Sequence, residues 1–113
     1  MTARACILGC AGPVLTSEEA AFFRRARPWG FILFRRNIET PDQTRALVNA
    51  LRECVGREDA PVLVDQEGGR VQRLGPPHWR RYPAGRAYGE LPAEDRREIT
   101  RLGARLIAHD LAA

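Results

Sequence analysis

The chain has 113 residues, of which 44% are hydrophobic and 28% are charged, as is typical of a soluble globular protein forming one small domain or part of a larger one. Its 18 basic residues, all arginines, outnumber its 14 acidic residues and give a formal net charge of +4. The arginines mostly stand beside acids and form no patch interleaved with aromatic residues, which argues against nucleic-acid binding, and no apolar run approaches the ~20 residues of a membrane span.

The N-terminal segment, MTARACILGCAGPV, contains a short apolar run that Gly9, Gly12 and Pro13 interrupt. No separate cleavage region follows it, so the segment indicates a first strand at Ala5–Leu8 rather than a signal peptide. We therefore expect a cytoplasmic protein.

Two helices are marked by capping boxes, in which a threonine cap is followed three residues later by glutamate or glutamine. The first box, Thr16–Glu19, opens a helix that we expect Pro28 to stop. The second, Thr40–Gln43, has proline at the first helical position, and Gly56 is placed to end its helix.

Two continuous apolar runs, Gly30–Phe34 and Pro61–Val64, are too short for helices and predict strands buried on both faces. A long connection rich in proline and glycine follows, from Gly68 to about Pro92. A last helix is predicted from about Ala93. Its expected buried stripe consists of Ile99, Leu102, Leu106, Ile107 and Leu111.

The resulting order, β-α-β-α-β-loop-α, indicates an α/β fold with parallel strands joined by right-handed crossovers. Three such units fall short of a (β/α)₈ barrel, which takes ~250 residues. The sequence therefore predicts residues 1–113 to be the N-terminal three βα units of a TIM-like barrel, incomplete in this chain. A complete doubly wound domain of flavodoxin type is the rival, although it normally has about five strands.

The cysteines and histidines carry no pattern of a metal or redox site. Cys6, Cys10 and Cys54 form no CxxC pair, so we expect reduced thiols that pack as small hydrophobes. His78 and His109 lack metal-ligand spacing, and no metal site is predicted.

Charge is concentrated directly after the third strand, in VDQEGGRVQR. Asp65 follows the strand's apolar core, and ligands of parallel α/β folds sit beyond the carboxyl ends of the strands. Gly68 and Gly69 permit a sharp turn that returns Arg70 and Arg73 toward the same opening. Carboxylate and guanidinium together suit a polyhydroxylated ligand such as a sugar. A plain salt bridge between Asp65 and one arginine explains the spacing equally well.

Several stretches closely resemble the N-terminal part of family 3 glycoside hydrolases, specifically the bacterial β-N-acetylhexosaminidases of peptidoglycan recycling. The similarity covers essentially the whole chain. Its motifs are GFILFRRN (30–37), PVLVDQEGGRVQRL (61–74), CAGPVLTSEE (10–19) and PPHWRRYPA (76–84).

The resemblance implies a TIM-like barrel in which Asp65 and Arg73 contact the non-reducing N-acetylglucosamine residue. It implies no metal or organic cofactor. The family's aspartate nucleophile and its KHFPGHG-like segment, which precedes the loop bearing the acid/base histidine, do not occur here, and His78 and His109 do not match. No residue of this chain is therefore expected to be catalytic. Arg70, nearer the glycines, is expected to be more structural.

These points predict the N-terminal portion of a cytoplasmic exo-β-N-acetylglucosaminidase that releases terminal N-acetylglucosamine from muropeptides or oligosaccharides of the cell wall. The whole enzyme is expected to be monomeric, and this portion alone to be inactive and prone to aggregate. The alternative is a non-catalytic sugar-binding or interaction module that retains the site after the third strand.

Overall fold

The computed structural model describes residues 2–112 as two compact units that divide between Val64 and Asp65. The first unit contains β1 (Arg4–Leu8), α1 (Ser17–Ala26), β2 (Pro28–Leu33), a 3₁₀ turn (Arg35–Asn37), α2 (Pro41–Val55) and β3 (Val62–Val64). The second contains β4 (Gln66–Gly68), β5 (Val71–Gln72), α3 (Gly85–Gly89) and α4 (Ala93–Ala112).

The first unit is a three-stranded parallel sheet in the order β1-β2-β3. Phe31 on the central strand pairs with Leu8 on one side and Val62 on the other. Neighbouring residues in a parallel register share a face of the sheet, and this face packs against the helices: the core comprises Cys10, Phe23, Phe31, Leu33, Leu47, Leu51 and Cys54. The prediction of an α/β fold with three parallel strands is confirmed.

Both helix starts of this unit are as the sequence predicts. The hydroxyl of Thr16 accepts from the backbone N–H of Glu19, and that of Thr40 accepts from Gln43, each at 3.1 Å. Gly56 ends α2 in the left-handed conformation, with φ of +64°. Arg27 also has positive φ and ends α1 one residue before Pro28. Local sequence is therefore sufficient to bound both helices.

The expectation of burial on both faces is wrong for the third strand, where Leu63 on β3 is 38% exposed. In the second predicted run, Gly30–Phe34, every residue is buried or partly buried, although Trp29 just before it is 47% exposed. Phe31 and Leu33, by contrast, are buried on the helix-bearing side. An apolar run tells that a segment is hydrophobic, whereas burial depends on what packs on each side of the sheet.

The second unit departs further from expectation. The connection predicted from Gly68 to about Pro92 contains the last residue of β4, all of β5 and the short helix α3. The stripe on α4 is also not buried: Ile99, Leu102, Leu106 and Leu111 are between 39% and 49% exposed, and Ile107 is only partly buried. The one buried residue among those described on α4 is Gly103, where the ring of Tyr88 from α3 approaches the helix backbone. The helix thus packs within its own unit through a glycine instead of through its aliphatic stripe.

No helix within residues 2–112 is long and apolar enough to cross a membrane.

Candidate functional site

A small antiparallel hairpin brings the two residues predicted to bind a ligand together. Asp65 immediately precedes β4, Arg73 immediately follows β5, and Gln66 pairs with Gln72 between the strands. The backbone N–H of Arg73 donates to the carbonyl of Asp65 at 3.3 Å. The chain thereby reverses direction between Asp65 and Arg73, and the side chains of these two residues lie side by side.

The side chains of this pair meet loosely. Nη2 of Arg73 lies 3.5 Å from Oδ2 of Asp65, and the side chains are 27% and 44% exposed, respectively. Within residues 2–112 the carboxylate of Asp65 makes no other hydrogen bond. Nε of Arg73 is buried and has no hydrogen-bond partner among the same residues. A single long contact between half-exposed ions contributes about 0–1 kcal/mol, so the pair adds little to stability and retains unused acceptor and donor capacity.

Two buried glutamine side chains hold this hairpin in shape. Oε1 of Gln66 accepts from the backbone N–H groups of Arg73 and Leu74 at 3.1 and 3.0 Å. The Nε2 groups of Gln66 and Gln72 both donate to the carbonyl of Leu74 at 2.8 Å. Gln66 and Gln72 are only 9% and 7% exposed, and buried amides of this kind are retained where their polar atoms are paired. Reasoning from the sequence missed both residues; the one available signal is a glutamine at each end of a glycine-centred turn.

The two glycines form the turn because no other residue fits. Gly68 and Gly69 have φ values of +91° and +59°, which favour glycine. A Cβ on Gly68 would overlap the Pro83 carbonyl oxygen, and one on Gly69 would lie 2.8 Å from Cβ of Ala84. The backbone N–H of Gly69 donates to the Tyr82 carbonyl at 2.8 Å. The prediction of a sharp turn is confirmed, and the 82–84 segment of the chain packs closely against its two glycines.

The 82–84 segment is hydrogen-bonded to the hairpin and to α4 through Tyr82. The backbone N–H of Tyr82 donates to Oε1 of Gln72 at 2.9 Å, and its buried phenol donates to the carboxylate of Asp110. Burial, followed by this hydrogen bond and the negative charge of Asp110, raises the pKa of Tyr82 to about 12. The neutral phenol is the form that the folded unit stabilises.

The expected structural role of Arg70 is not supported, because its side chain is exposed at the tip of the hairpin. Arg70 emerges from the turn between the strands, whereas Arg73 emerges beside Asp65 after β5. His78 and His109 are likewise exposed. The hairpin register, which the sequence did not reveal, distinguishes the two arginines.

The thiols are free, as expected, with Cys10 and Cys54 buried and Cys6 partly buried. Burial raises the pKa of the Cys10 and Cys54 thiols, which makes them poor nucleophiles at neutral pH. Across the described part of the chain, no group of three or more histidine, cysteine or acidic side chains could hold a metal ion.

The chemistry of this pair suits the holding of a polyhydroxylated ligand. A carboxylate that accepts from hydroxyls stands beside a guanidinium that donates to oxygens. Their single contact at 3.5 Å leaves hydrogen-bonding positions on both groups for such a ligand.

No protein-family model matches the chain, but individual bacterial β-hexosaminidases do. The β-hexosaminidase of Pseudomonas aeruginosa (strain LESB58) is 44% identical over 86 residues, which are 76% of this chain and 25% of that protein. The β-hexosaminidase of Methylobacillus flagellatus is 35% identical over 102 residues, 90% of this chain and 29% of the relative.

Solved structures agree with the sequence matches. NagZ from Neisseria gonorrhoeae, solved in native form and in complex with N-trifluoroacetyl-D-glucosamine, aligns with a TM-score of 0.83 and 28% identity. The alignment covers 97% of this chain and 33% of the NagZ chain. The chain spans between a quarter and a third of the length of these relatives. The resemblance drawn from the sequence is therefore confirmed: the chain is similar, in sequence and in fold, to a partial N-terminal region of the bacterial β-hexosaminidases.

Proposed function

We propose that this chain supplies the sugar-holding part of a β-N-acetylhexosaminidase of glycoside hydrolase family 3. The observation that carries the proposal is the pairing of Asp65 with Arg73 at 3.5 Å, half-exposed and with unused hydrogen-bonding capacity. Asp65 accepts hydrogen bonds from the hydroxyls of a terminal N-acetylglucosamine, and Arg73 donates to its oxygens. Support for this sugar comes from NagZ of Neisseria gonorrhoeae, which was solved with N-trifluoroacetyl-D-glucosamine.

The proposed substrates are muropeptides or oligosaccharides carrying non-reducing N-acetylglucosamine, hydrolysed during cytoplasmic peptidoglycan recycling. The proposed fold of the whole enzyme is a TIM-like barrel to which β1–β3 contribute the first three strands. Ligands of such barrels lie at the carboxyl ends of the strands, and Asp65 directly follows β3.

Residues 1–113 are proposed to bind without catalysing. This proposal is supported by the family resemblance, from which the nucleophile and the acid/base are expected in segments with no counterpart among these residues. Purified residues 1–113 should therefore give no hydrolysis of an aryl N-acetyl-β-glucosaminide above buffer background. Turnover by this chain that Asp65→Ala abolishes would show that the chemistry resides here.

Activity is tested in a chimera, in which this chain replaces the matching region of the Pseudomonas aeruginosa β-hexosaminidase. The control is the same enzyme with that region deleted. The chimera should hydrolyse the aryl glucosaminide, and the deleted enzyme should not. A chimera that folds, as judged by circular dichroism and a melting transition, but is inactive would count against the enzyme assignment.

Binding is tested on the 113-residue chain by saturation-transfer difference NMR with N-acetylglucosamine, a method that needs only micromolar protein. Signal from the sugar, lost in Asp65→Ala and kept in Glu67→Ala, is the expected result. Glu67 is a suitable control because it is an exposed carboxylate in the same hairpin. Sugar binding by the chain together with a folded, inactive chimera would favour a non-catalytic sugar-binding module.

A further inference from the structure

We propose that Gln66 is a positioning residue for the sugar-binding pair: its buried amide fixes the backbone at Arg73 so that the guanidinium meets the Asp65 carboxylate. The proposal rests on the proposed function in taking this pair to bind the sugar. Its first test is independent of any sugar.

The bonds of Gln66 are directed at the residues that decide where Arg73 points. Its Oε1 accepts from the N–H of Arg73 itself, at 3.1 Å, and from that of Leu74, at 3.0 Å. Its Nε2 donates to the Leu74 carbonyl at 2.8 Å. One side chain thereby binds three backbone groups just beyond Gln72. The N–H of Arg73 also donates to the Asp65 carbonyl, and the Leu74 carbonyl also accepts from Gln72.

The strands alone are too short to do this. β5 has two residues and β4 has three, and their pairing ends at Gln66 and Gln72. Beyond that point Arg73 is held by a 3.3 Å backbone bond to Asp65 and by the Gln66 amide. A side chain with several rotatable bonds meets a partner reliably only when its backbone is fixed.

The Gln66 amide lies near the buried part of the Arg73 side chain, away from its exposed contact with Asp65. Gln66 is 9% exposed, and Nε of Arg73 is buried without a partner among the described residues. The stem of Arg73 therefore runs through a desolvated space, and its Nη2 reaches the half-exposed carboxylate. A small rotation of the backbone at Arg73 would redirect the whole guanidinium away from Asp65.

The first test follows the Nε–Hε resonance of Arg73 in the ¹⁵N-labelled 113-residue chain, assigned by its loss in Arg73→Lys. Asp65→Asn, which weakens the ion pair, supplies the reference shift. Gln66→Met, which is close in shape but has neither acceptor nor donor, should move the resonance in the same direction. Gln66→Glu, which keeps the accepting oxygen, should leave it nearer to wild type.

The matched control is Gln43→Met. Gln43 also uses its side-chain amide to bind backbone groups, at Glu39, Thr40, Pro13 and Asn37, but it lies in the first unit on α2. This variant should lose thermal stability and leave the Arg73 resonance in place. If Gln66→Met lowers the melting temperature as Gln43→Met does but does not move the Arg73 resonance, Gln66 is merely structural and the proposal is wrong.

Should Gln66→Met fail to fold, Gln66→Asn replaces it, because the shorter amide remains polar but withdraws its oxygen from Arg73. An unmoved resonance in folded Gln66→Asn would equally overturn the proposal.

The second test is saturation transfer to N-acetylglucosamine. Gln66→Met should reduce the signal to that of Arg73→Ala and cause no further loss in the Arg73→Ala background, whereas an additional loss there would show that Gln66 acts independently of Arg73. Absence of signal from the wild-type chain would reject the proposed function, while the resonance test would still decide the positioning role.

Discussion

Asp65 and Arg73 are eight positions apart in the chain, yet Nη2 of one lies 3.5 Å from Oδ2 of the other and their backbones are bonded at 3.3 Å. The backbone bond belongs to the hairpin, whereas the side-chain contact is long and partly exposed. Such a contact contributes about 0–1 kcal/mol to stability. The hairpin therefore holds the two charged groups together at little energetic benefit to itself, as is expected of groups kept available for a ligand.

Removing the carboxylate should impair substrate use more than stability. Each charge-assisted hydrogen bond from a sugar hydroxyl contributes on the order of 1.5–3 kcal/mol. In the chimera, Asp65→Ala should therefore lower kcat/KM at least roughly 10-fold, while Glu67→Ala should leave it nearly unchanged. Steady-state kinetics beside melting curves make the comparison. An intact kcat/KM with a lowered melting temperature would mean that Asp65 serves only as a structural ion.

Replacing the guanidinium by an ammonium should also be harmful at position 73. Lysine keeps the charge but loses the planar set of donors, including the buried Nε. We expect Arg73→Lys to lower kcat/KM of the chimera by about 10-fold, taking one lost charge-assisted bond as the measure. Arg70→Lys, at the exposed tip of the same hairpin, should change neither kinetics nor melting. Equal effects of the two substitutions would contradict the assignment.

The glycine turn should not tolerate a side chain. Gly68→Ala places a methyl group against the Pro83 carbonyl at φ of +91°, and the strained backbone alone costs about 1–3 kcal/mol. Local opening should therefore become at least roughly fivefold more frequent, which trypsin reports as faster cleavage after Arg73.

Gly12→Ala is the control for this turn, because a Cβ at Gly12 meets nothing within 4 Å. Mass spectrometry of the fragments separates cleavage after Arg73 from cleavage at the many exposed arginines. Unchanged cleavage at Arg73 in Gly68→Ala would show that the turn adapts.

Tyr82 should make the second unit sensitive to high pH. Its pKa is raised from 10.0 to about 12, first by burial and then by the bond to Asp110. Because the folded state holds the proton more tightly than the unfolded state, this contribution is complete below about pH 10 and is lost as the pH rises toward about 12.

The near-ultraviolet absorbance of tyrosinate measures this directly. The wild-type chain should show a tyrosinate forming near pH 12, and Tyr82→Phe should lack it. Asp110→Asn should shift this titration to lower pH, since burial remains but the carboxylate does not. A titration that Asp110→Asn leaves in place would show that the phenol is not bonded to Asp110 in solution.

The isolated chain should self-associate through α4. Leu102, Leu106 and Leu111 are 49%, 41% and 46% exposed, and contiguous exposed apolar surface of this kind promotes association. Sedimentation velocity should show growth in size with concentration, reduced by Leu102→Glu and unaffected by Arg105→Glu. A monodisperse monomer at every concentration would show that the exposed leucines of α4 do not drive self-association.

Much of the first unit follows from local sequence. The capping boxes at Thr16 and Thr40 and the glycine at position 56 act over three or four residues, so their hydrogen bonds are implied by residue identity and spacing. The alternation of apolar runs with these helices sufficed to predict three parallel strands. The charged cluster after β3 was likewise visible as a candidate site, because its position follows from strand order.

Tertiary structure decided the rest, for reasons that no local pattern contains. Arg70 and Arg73 are the same residue type in the same short segment. The register of the β4–β5 hairpin places Arg70 at the tip and Arg73 beside Asp65. The role of Gln66 likewise depends on the folded hairpin, in which its amide oxygen accepts from the backbone of Arg73 and Leu74. The stripe on α4 has the period of a buried face, yet it is exposed, because periodicity determines which residues share a face and packing partners determine whether that face is covered.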